Sequence, residues 1–176
     1  MRRFFLMEKS SPRNQKWLED RMHQVLERGF SDLIPANKIE IKFGQAARTR
    51  LGSIRLLRDK KKSRILINRL FQIEKIPLIV VDLTIAHELV HYVHGFSSPL
   101  EQKFCTPHAG GVVDKELKAR GFGQDLLFQK NWLKKNWRLF LIQHQNQIRG
   151  FIRKPRSLHR RNSRLKIRFL AGLFGA

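Results

Sequence analysis

Cysteine is almost absent from this chain of 176 residues, in which Cys105 is the single thiol. One cysteine excludes an intramolecular disulfide. Long apolar runs are lacking as well: none approaches the roughly 18 residues of a membrane span, and Phe4–Met7 is too short an apolar run for a signal peptide. We therefore expect a cytoplasmic protein without a transmembrane segment.

Acidic residues are also scarce, with 14 Asp and Glu against 36 Lys and Arg, for a net charge of +22. The imbalance is not uniform: the charge is +11 over residues 1–80, −2 over residues 81–125 and +13 over residues 126–176. Basic segments that flank a near-neutral centre are typical of proteins that bind a polyanion. The distribution predicts a nucleic acid, DNA or RNA, as a partner.

The near-neutral centre contains the pattern His87-Glu88-Leu89-Val90-His91. On a helix, residues four apart lie on one face with Cβ atoms about 6 Å apart, so two imidazoles can reach one zinc ion at about 2.0–2.1 Å. Glu88 lies about 100° further around the helix and can reach a zinc-bound water as general base. The motif predicts zinc-dependent hydrolysis.

The residues around this motif favour a buried helix. Apolar side chains run from Leu78 to Val93 between the polar positions. Pro77 suits the first helical position and Gly95 a C-terminal cap. Histidines buried in such a helix need polar partners or a metal ion.

A catalytic zinc ion takes three protein ligands, which leaves its fourth position for water. Three residues are candidates for the third ligand. His108 is favoured, because Thr106 and Pro107 predict a helix start beside it. Glu116 lies further along that helix. His94 follows on the metal helix itself, about 7 Å beyond the midpoint of the first two ligands.

With these motifs, the sequence resembles the SprT-like zinc metallopeptidases. The resemblance covers roughly residues 11–122, and it is carried by His87–Tyr92, Pro107–His108, Ile39–Phe43, Arg50–Arg55 and Arg64–Asn68. It implies three strands ahead of the metal helix, with the third histidine opening a second, short helix. It also implies that His87, His91 and His108 bind zinc, that Glu88 is the base, and that the protein is a protease acting on DNA-bound proteins.

Two features depart from that family's usual pattern. The residue after the third histidine is Ala109 in place of glycine, and Val112 stands where an aromatic residue is usual. Many members also carry a cysteine zinc ribbon, which a chain with one cysteine cannot build.

The periodicities predict an α+β fold. An N-terminal helix is expected over residues 11–29, with Ser11 as its cap, and further helices over residues 107–120 and 125–147. Strands are expected at 39–43, 49–57 and 64–68, as a small antiparallel three-stranded sheet packed on the metal helix. Residues 1–10 are expected to be an extension, 11–147 the metallopeptidase domain, and 148–176 a flexible basic tail.

Two basic segments are candidate nucleic-acid contacts. One is the loop of Lys60, Lys61 and Lys62 between the second and third strands. The other is the tail, which contains no acidic residue. Its candidate contacts are Arg153, Lys154, Arg156, Arg160 and Arg161.

Two functions follow from these patterns. The first is a zinc-dependent endopeptidase that acts on proteins associated with nucleic acid. The second is a nucleic-acid-binding protein whose zinc ion is structural, which requires a fourth protein ligand; His94, Cys105 and Glu116 could supply it.

Overall fold

The computed structural model describes residues 12–151. Within that range the fold is α+β, with five α-helices, a three-stranded sheet and two short 3-10 helices, which confirms the expected class. The α-helices are α1 (Gln15–Gly29), α2 (Leu78–Val93), α3 (Val112–Ala119), α4 (Gly123–Gln143) and α5 (Gln145–Phe151). The strands are β1 (Lys38–Phe43), β2 (Gly52–Leu56) and β3 (Lys62–Ile67).

The sheet is mixed, which corrects the expected antiparallel topology. β3 lies in the centre, parallel to β1 and antiparallel to β2. The reason is the connection 44–51, which passes the end of β3 and is tied to it by hydrogen bonds. Gly44 N donates to Ile67 O at 2.8 Å, and Asn68 N donates to Leu51 O at 2.8 Å. This crossing places β2 at an edge of the sheet.

The two faces of the sheet differ in chemistry, because side chains alternate along each strand. On one face Ile65 and Ile67 are fully buried and Ile41 is nearly so. On the other face Glu40 is paired with Arg64 across the strands, and its carboxylate forms ion pairs with both Lys62 and Arg64. The apolar face belongs to the core, whereas the outer face is strongly charged.

Helix α2 runs through the core and contacts β2, β3, α1, α3 and α4. It starts directly after Pro77 and ends at Val93, close to the expected bounds. Gly95 has a φ of +79°, and a Cβ there would lie 2.2 Å from the carbonyl oxygen of Glu101. Only glycine allows both the turn and the close approach, so the chain leaves the helix sharply at this point.

Arg13 holds the segment that leads into α2. Its buried guanidinium donates hydrogen bonds to the carbonyl oxygens of Phe71 (3.0 Å), Ile73 (3.2 Å), Glu74 (3.1 Å) and Ile76 (2.9 Å). One side chain thereby satisfies four acceptors of an irregular segment. The sheet and the metal-motif helix are joined through this segment.

Several helix ends differ from expectation. Helix α1 begins at Gln15, where the side chain of Asn14 accepts a hydrogen bond from Trp17 N, while Ser11 lies outside the described residues. The helix expected from residue 107 begins at Val112, because Gly110 and Gly111 have φ values of +61° and +67°. Positive φ values interrupt a right-handed helix.

The helix bounds near residue 147 also differ from the expected ones. The helix expected over 125–147 is divided into α4 and α5, and α5 continues to Phe151 with Ile148 buried. The folded part therefore includes at least the first four residues of the segment that was expected to be a tail. The extension 1–10 and the remaining tail lie outside the described residues. Over residues 12–151, no helix is both long and apolar enough to cross a membrane.

Candidate metal centre

Three histidines converge at the C-terminal part of α2. His87 and His91, four residues apart, direct their Nε2 atoms towards each other at 3.1 Å. His108 completes the group: one ring nitrogen from each of the three residues lies within 4.8 Å of the others. Its ring stacks on that of His87 at a centroid distance of 5.5 Å and meets His91 edge-on at 4.8 Å.

His108 reaches the cluster from a loop rather than from the first turn of a helix. It precedes the 3-10 helix Ala109–Gly111, and α3 starts only afterwards. The two glycines with positive φ redirect the chain between His108 and α3. The cluster thus joins one rigid helix to one turn that lies 17 residues beyond the end of the motif.

The two helical histidines are neutral at physiological pH. Burial lowers the pKa of His87 to about 4, with a smaller contribution from His108. Burial likewise lowers the pKa of His91 to about 4, and the neighbouring His87, His108 and His94 add to the effect. A neutral imidazole keeps a lone pair for a metal ion, and three imidazoles suit zinc, copper, iron or nickel.

The two alternative third ligands, His94 and Glu116, lie outside this cluster and face each other. His94 caps the C-terminal end of α2, and its Nε2 lies 3.6 Å from Glu116 Oε2. Glu116 also accepts a hydrogen bond from Arg120 at 2.8 Å. Both side chains are therefore engaged outside the three-histidine cluster.

Glu88 is buried next to β2. Burial raises the pKa of its carboxyl to about 8, and the positive charge of Arg50 acts in the opposite direction. A Cβ built on Gly52 would lie 2.6 Å from Glu88 Oε1 and 2.9 Å from Thr84 Cγ2. The absence of a side chain at Gly52 therefore makes room for the carboxylate.

An open cleft of about 300 Å³ adjoins the cluster. Its walls come from β2 on one side and from the segment after α2 on the other, and His87, Glu88 and His91 line it. Phe96 and Ser97 belong to that second wall. His91 and Phe96 meet edge-on at 6.2 Å.

The basic residues singled out as nucleic-acid contacts are not part of this centre. Lys60 and Lys61 are exposed in the turn between β2 and β3, but Lys62 begins β3 and lies 3.0 Å from Glu40. The ion pair with Glu40 therefore occupies one of the three lysines that were expected to contact nucleic acid. Arg153, Lys154, Arg156, Arg160 and Arg161 lie outside the described residues.

Sequence reasoning missed Gly52 and Arg50 as parts of the site. The signal for Gly52 was present, since a glycine inside a strand often marks the close approach of another group. For Arg50 there was no signal, because the sheet order that brings it towards α2 is not encoded in a local pattern.

Comparison with known proteins adds no family assignment to this geometry. No family model matches the chain, and no curated protein and no solved structure matches it either. The functional interpretation therefore depends on the residues themselves.

Proposed function

We propose that the protein is a zinc-dependent endopeptidase, as its resemblance to the SprT-like metallopeptidases implies. The observation that carries the proposal is the convergence of His87, His91 and His108 beside the Glu88 carboxylate in an open cleft. When bound, a zinc ion would polarise a peptide carbonyl and acidify a water molecule.

The donor set fits this ion. Two imidazole nitrogens bound tetrahedrally at about 2.0–2.1 Å are roughly 3.3 Å apart, close to the 3.1 Å between His87 Nε2 and His91 Nε2. A catalytic zinc has three protein ligands and an open position. The cluster of three histidines on the edge of a cleft matches that requirement.

Glu88 acts as the proton carrier in this proposal. Its carboxylate accepts a proton from the attacking water and returns it to the leaving amine. The raised pKa of Glu88 favours the protonated form needed for the second step, whereas Arg50 favours the carboxylate needed for the first. A cation held by the histidines also favours the carboxylate.

Strand β2 is positioned to hold the substrate. Among the described residues it pairs only with β3, so its other edge offers unpaired backbone groups. Gly52, Ser53 and Ile54 of this strand line the cleft. An extended peptide can add to such an edge through backbone hydrogen bonds, which places a peptide bond beside the histidines.

The alternative, a structural zinc site in a nucleic-acid-binding protein, has less support. A structural site is closed by a fourth protein ligand. Within residues 12–151 the cluster holds three candidate ligands. Of the proposed fourth ligands, His94 and Glu116 pair with each other, and Cys105 is an exposed free thiol that is not part of the cluster. Nucleic-acid association remains part of the endopeptidase proposal, because the chain carries a charge of +22.

Zinc content tests the proposed ligands. We expect about one zinc ion per chain in the wild type by elemental analysis, and loss of most of it in His108→Ala, since two ligands bind zinc much more weakly than three. The matched control is His23→Ala, which removes an exposed histidine of α1 and should retain the ion. A folded, zinc-free wild type would contradict the proposal.

Gly52→Ala tests the contact between β2 and the base. The added methyl group would displace Glu88, so we expect hydrolysis of an unfolded fluorescent protein to fall about 10- to 100-fold with zinc content unchanged. Gly44→Ala is the control, because a Cβ there meets only ordinary contacts, the nearest at 3.4 Å. Equal activity in both variants would show that the carboxylate does not depend on this space.

A further inference from the structure

A second concave surface near the sheet is a groove of about 740 Å³, which is distinct from the metal cleft. It is formed by the connection 44–51, the start of β2 and the end of β3, together with Arg69 and Phe151. Gly52 and Ser53 line both the groove and the metal cleft. The two depressions are therefore neighbours along one edge strand.

The charged side chains that line this groove are all arginines. Arg50, Arg55 and Arg69 contribute exposed guanidinium groups, and no carboxylate lines the groove. Among residues 12–151 none of the three forms an ion pair. By contrast, Glu40 on the outer face of the sheet is already shared between Lys62 and Arg64. The groove is thus an uncompensated positive surface.

Hydrogen bonds fix the arginine-bearing connection in place. The buried side chain of Asn68 donates to Ala47 O at 2.6 Å and to Arg50 O at 2.8 Å, and it accepts from Ala47 N at 3.3 Å. Trp137 Nε1 donates to Arg48 O at 2.7 Å. The backbone that carries Arg50 is therefore anchored from two directions, as a binding surface requires.

Two aromatic rings accompany the charges. Phe43, at the end of β1, and Phe151, at the end of α5, both line the groove and are partly exposed. A positively charged groove with aromatic side chains is the usual combination for single-stranded nucleic acid, since bases stack on the rings while phosphates contact the cations. A concave surface of this size also suits a flexible strand better than a duplex.

The chain beyond Phe151 cannot neutralise this surface. Residues 152–176 contain eight Lys and Arg residues and no acidic residue. They follow directly from a residue that lines the groove. Their sequence therefore adds positive charge to the chain and no carboxylate that could pair with the three arginines.

We propose that this arginine groove binds single-stranded nucleic acid beside the metal cleft. The inference rests on the nucleic-acid part of the proposed function and names the surface responsible. It does not require peptide hydrolysis, so a strand bound by a chain without peptidase activity would separate the two proposals. A strand held there lies close to the edge at which β2 would receive a protein substrate.

The test compares two triple variants of the full chain by fluorescence polarisation with a labelled oligothymidylate. The first replaces Arg50, Arg55 and Arg69 by glutamine. The second, with the same loss of charge, replaces three exposed lysines that lie outside the groove, Lys75, Lys115 and Lys118. All six side chains are exposed, and thermal melting verifies the fold of both variants.

We expect the groove variant to bind the oligonucleotide at least about tenfold more weakly. The slope of log K against log salt concentration should become shallower by about two, since three phosphate contacts are lost. The control should change by less than about threefold. Equal weakening of both variants would overturn the proposal in favour of general charge attraction. A duplex that binds as tightly as the single strand, and loses as much affinity in the groove variant, would overturn the proposal in favour of double-stranded nucleic acid. Competition by polyglutamate as strong as that by the oligonucleotide would overturn it in favour of an acidic peptide.

Photocrosslinking with a halogenated uridine oligonucleotide locates the strand independently. We expect adducts in peptides that contain Phe43 or Phe151. Adducts confined to residues 152–176 would show that the tail binds alone and that the groove does not.

Discussion

Glu88→Gln abolishes peptide hydrolysis while one zinc ion per chain is retained: this is the largest effect that we expect. The amide cannot accept the proton of the attacking water, and general acid–base catalysis contributes about 10²- to 10⁴-fold. The three histidines are unchanged, so the metal ion should stay. Hydrolysis of an unfolded fluorescent protein and elemental analysis of the same sample measure both quantities.

The pH dependence of the free energy of unfolding, measured on the metal-free protein, provides a second measurement on the same variant. Burial raises the pKa of the Glu88 carboxyl to about 8 from its ordinary value of 4.5, so the unfolded chain gives up this proton more readily as pH rises above 4.5. The buried Glu88 carboxyl therefore lowers the free energy of unfolding progressively as the pH rises from 4.5 to 8. Glutamine removes that effect, and we expect a gain of about 1–3 kcal/mol at pH 8 that vanishes at pH 4.

Two results would contradict this assignment. Full peptidase activity in Glu88→Gln would remove Glu88 from the mechanism. Loss of both zinc and activity in this variant would contradict our expectation that Glu88 is not a ligand, because the effect of the carboxylate could then not be separated from that of the three histidines. A wild type that binds zinc but hydrolyses no protein favours the structural site instead.

The second large effect concerns folding. Arg13→Ala removes the donor of four hydrogen bonds to the carbonyl oxygens of residues 71, 73, 74 and 76. At about 1 kcal/mol for each bond, we expect a loss of about 3–4 kcal/mol, a large part of the 5–15 kcal/mol that stabilises a typical domain. Urea unfolding measures the change.

Two controls accompany this variant. Arg58→Ala removes an exposed arginine, which is not in an ion pair with residues 12–151, and it should change stability by less than about 0.5 kcal/mol. Arg13→Lys keeps the charge but not the planar fork, so we expect an intermediate loss. A change below about 1 kcal/mol in Arg13→Ala would mean that water replaces the guanidinium without cost.

The helix of the metal motif could be read from the sequence because its signals are local. The spacing of His87 and His91, the apolar residues around them, and the turn at Gly95 are all contained in one short segment. His108 could be proposed from Thr106 and Pro107, although the helix start that motivated the proposal lies further on, at Val112. The histidine is close to the others because a loop brings it there.

The sheet order and the role of Arg13 could not be read in this way. Alternation along β1, β2 and β3 identifies strands but not their neighbours. The order depends on the connection 44–51 crossing the end of β3, which Asn68 fixes through hydrogen bonds to Ala47 and Arg50. Arg13 is more than fifty residues from its acceptors, and its type suggests an exposed position.

The open edge of β2 has a consequence for self-association. An unpaired strand edge that can receive a substrate can equally receive the same edge of a second copy, which is a common route to aggregation. Here each chain carries a net charge of +22. Mutual repulsion disfavours that pairing but not the entry of a neutral or acidic peptide, so the excess of basic residues also keeps the edge available.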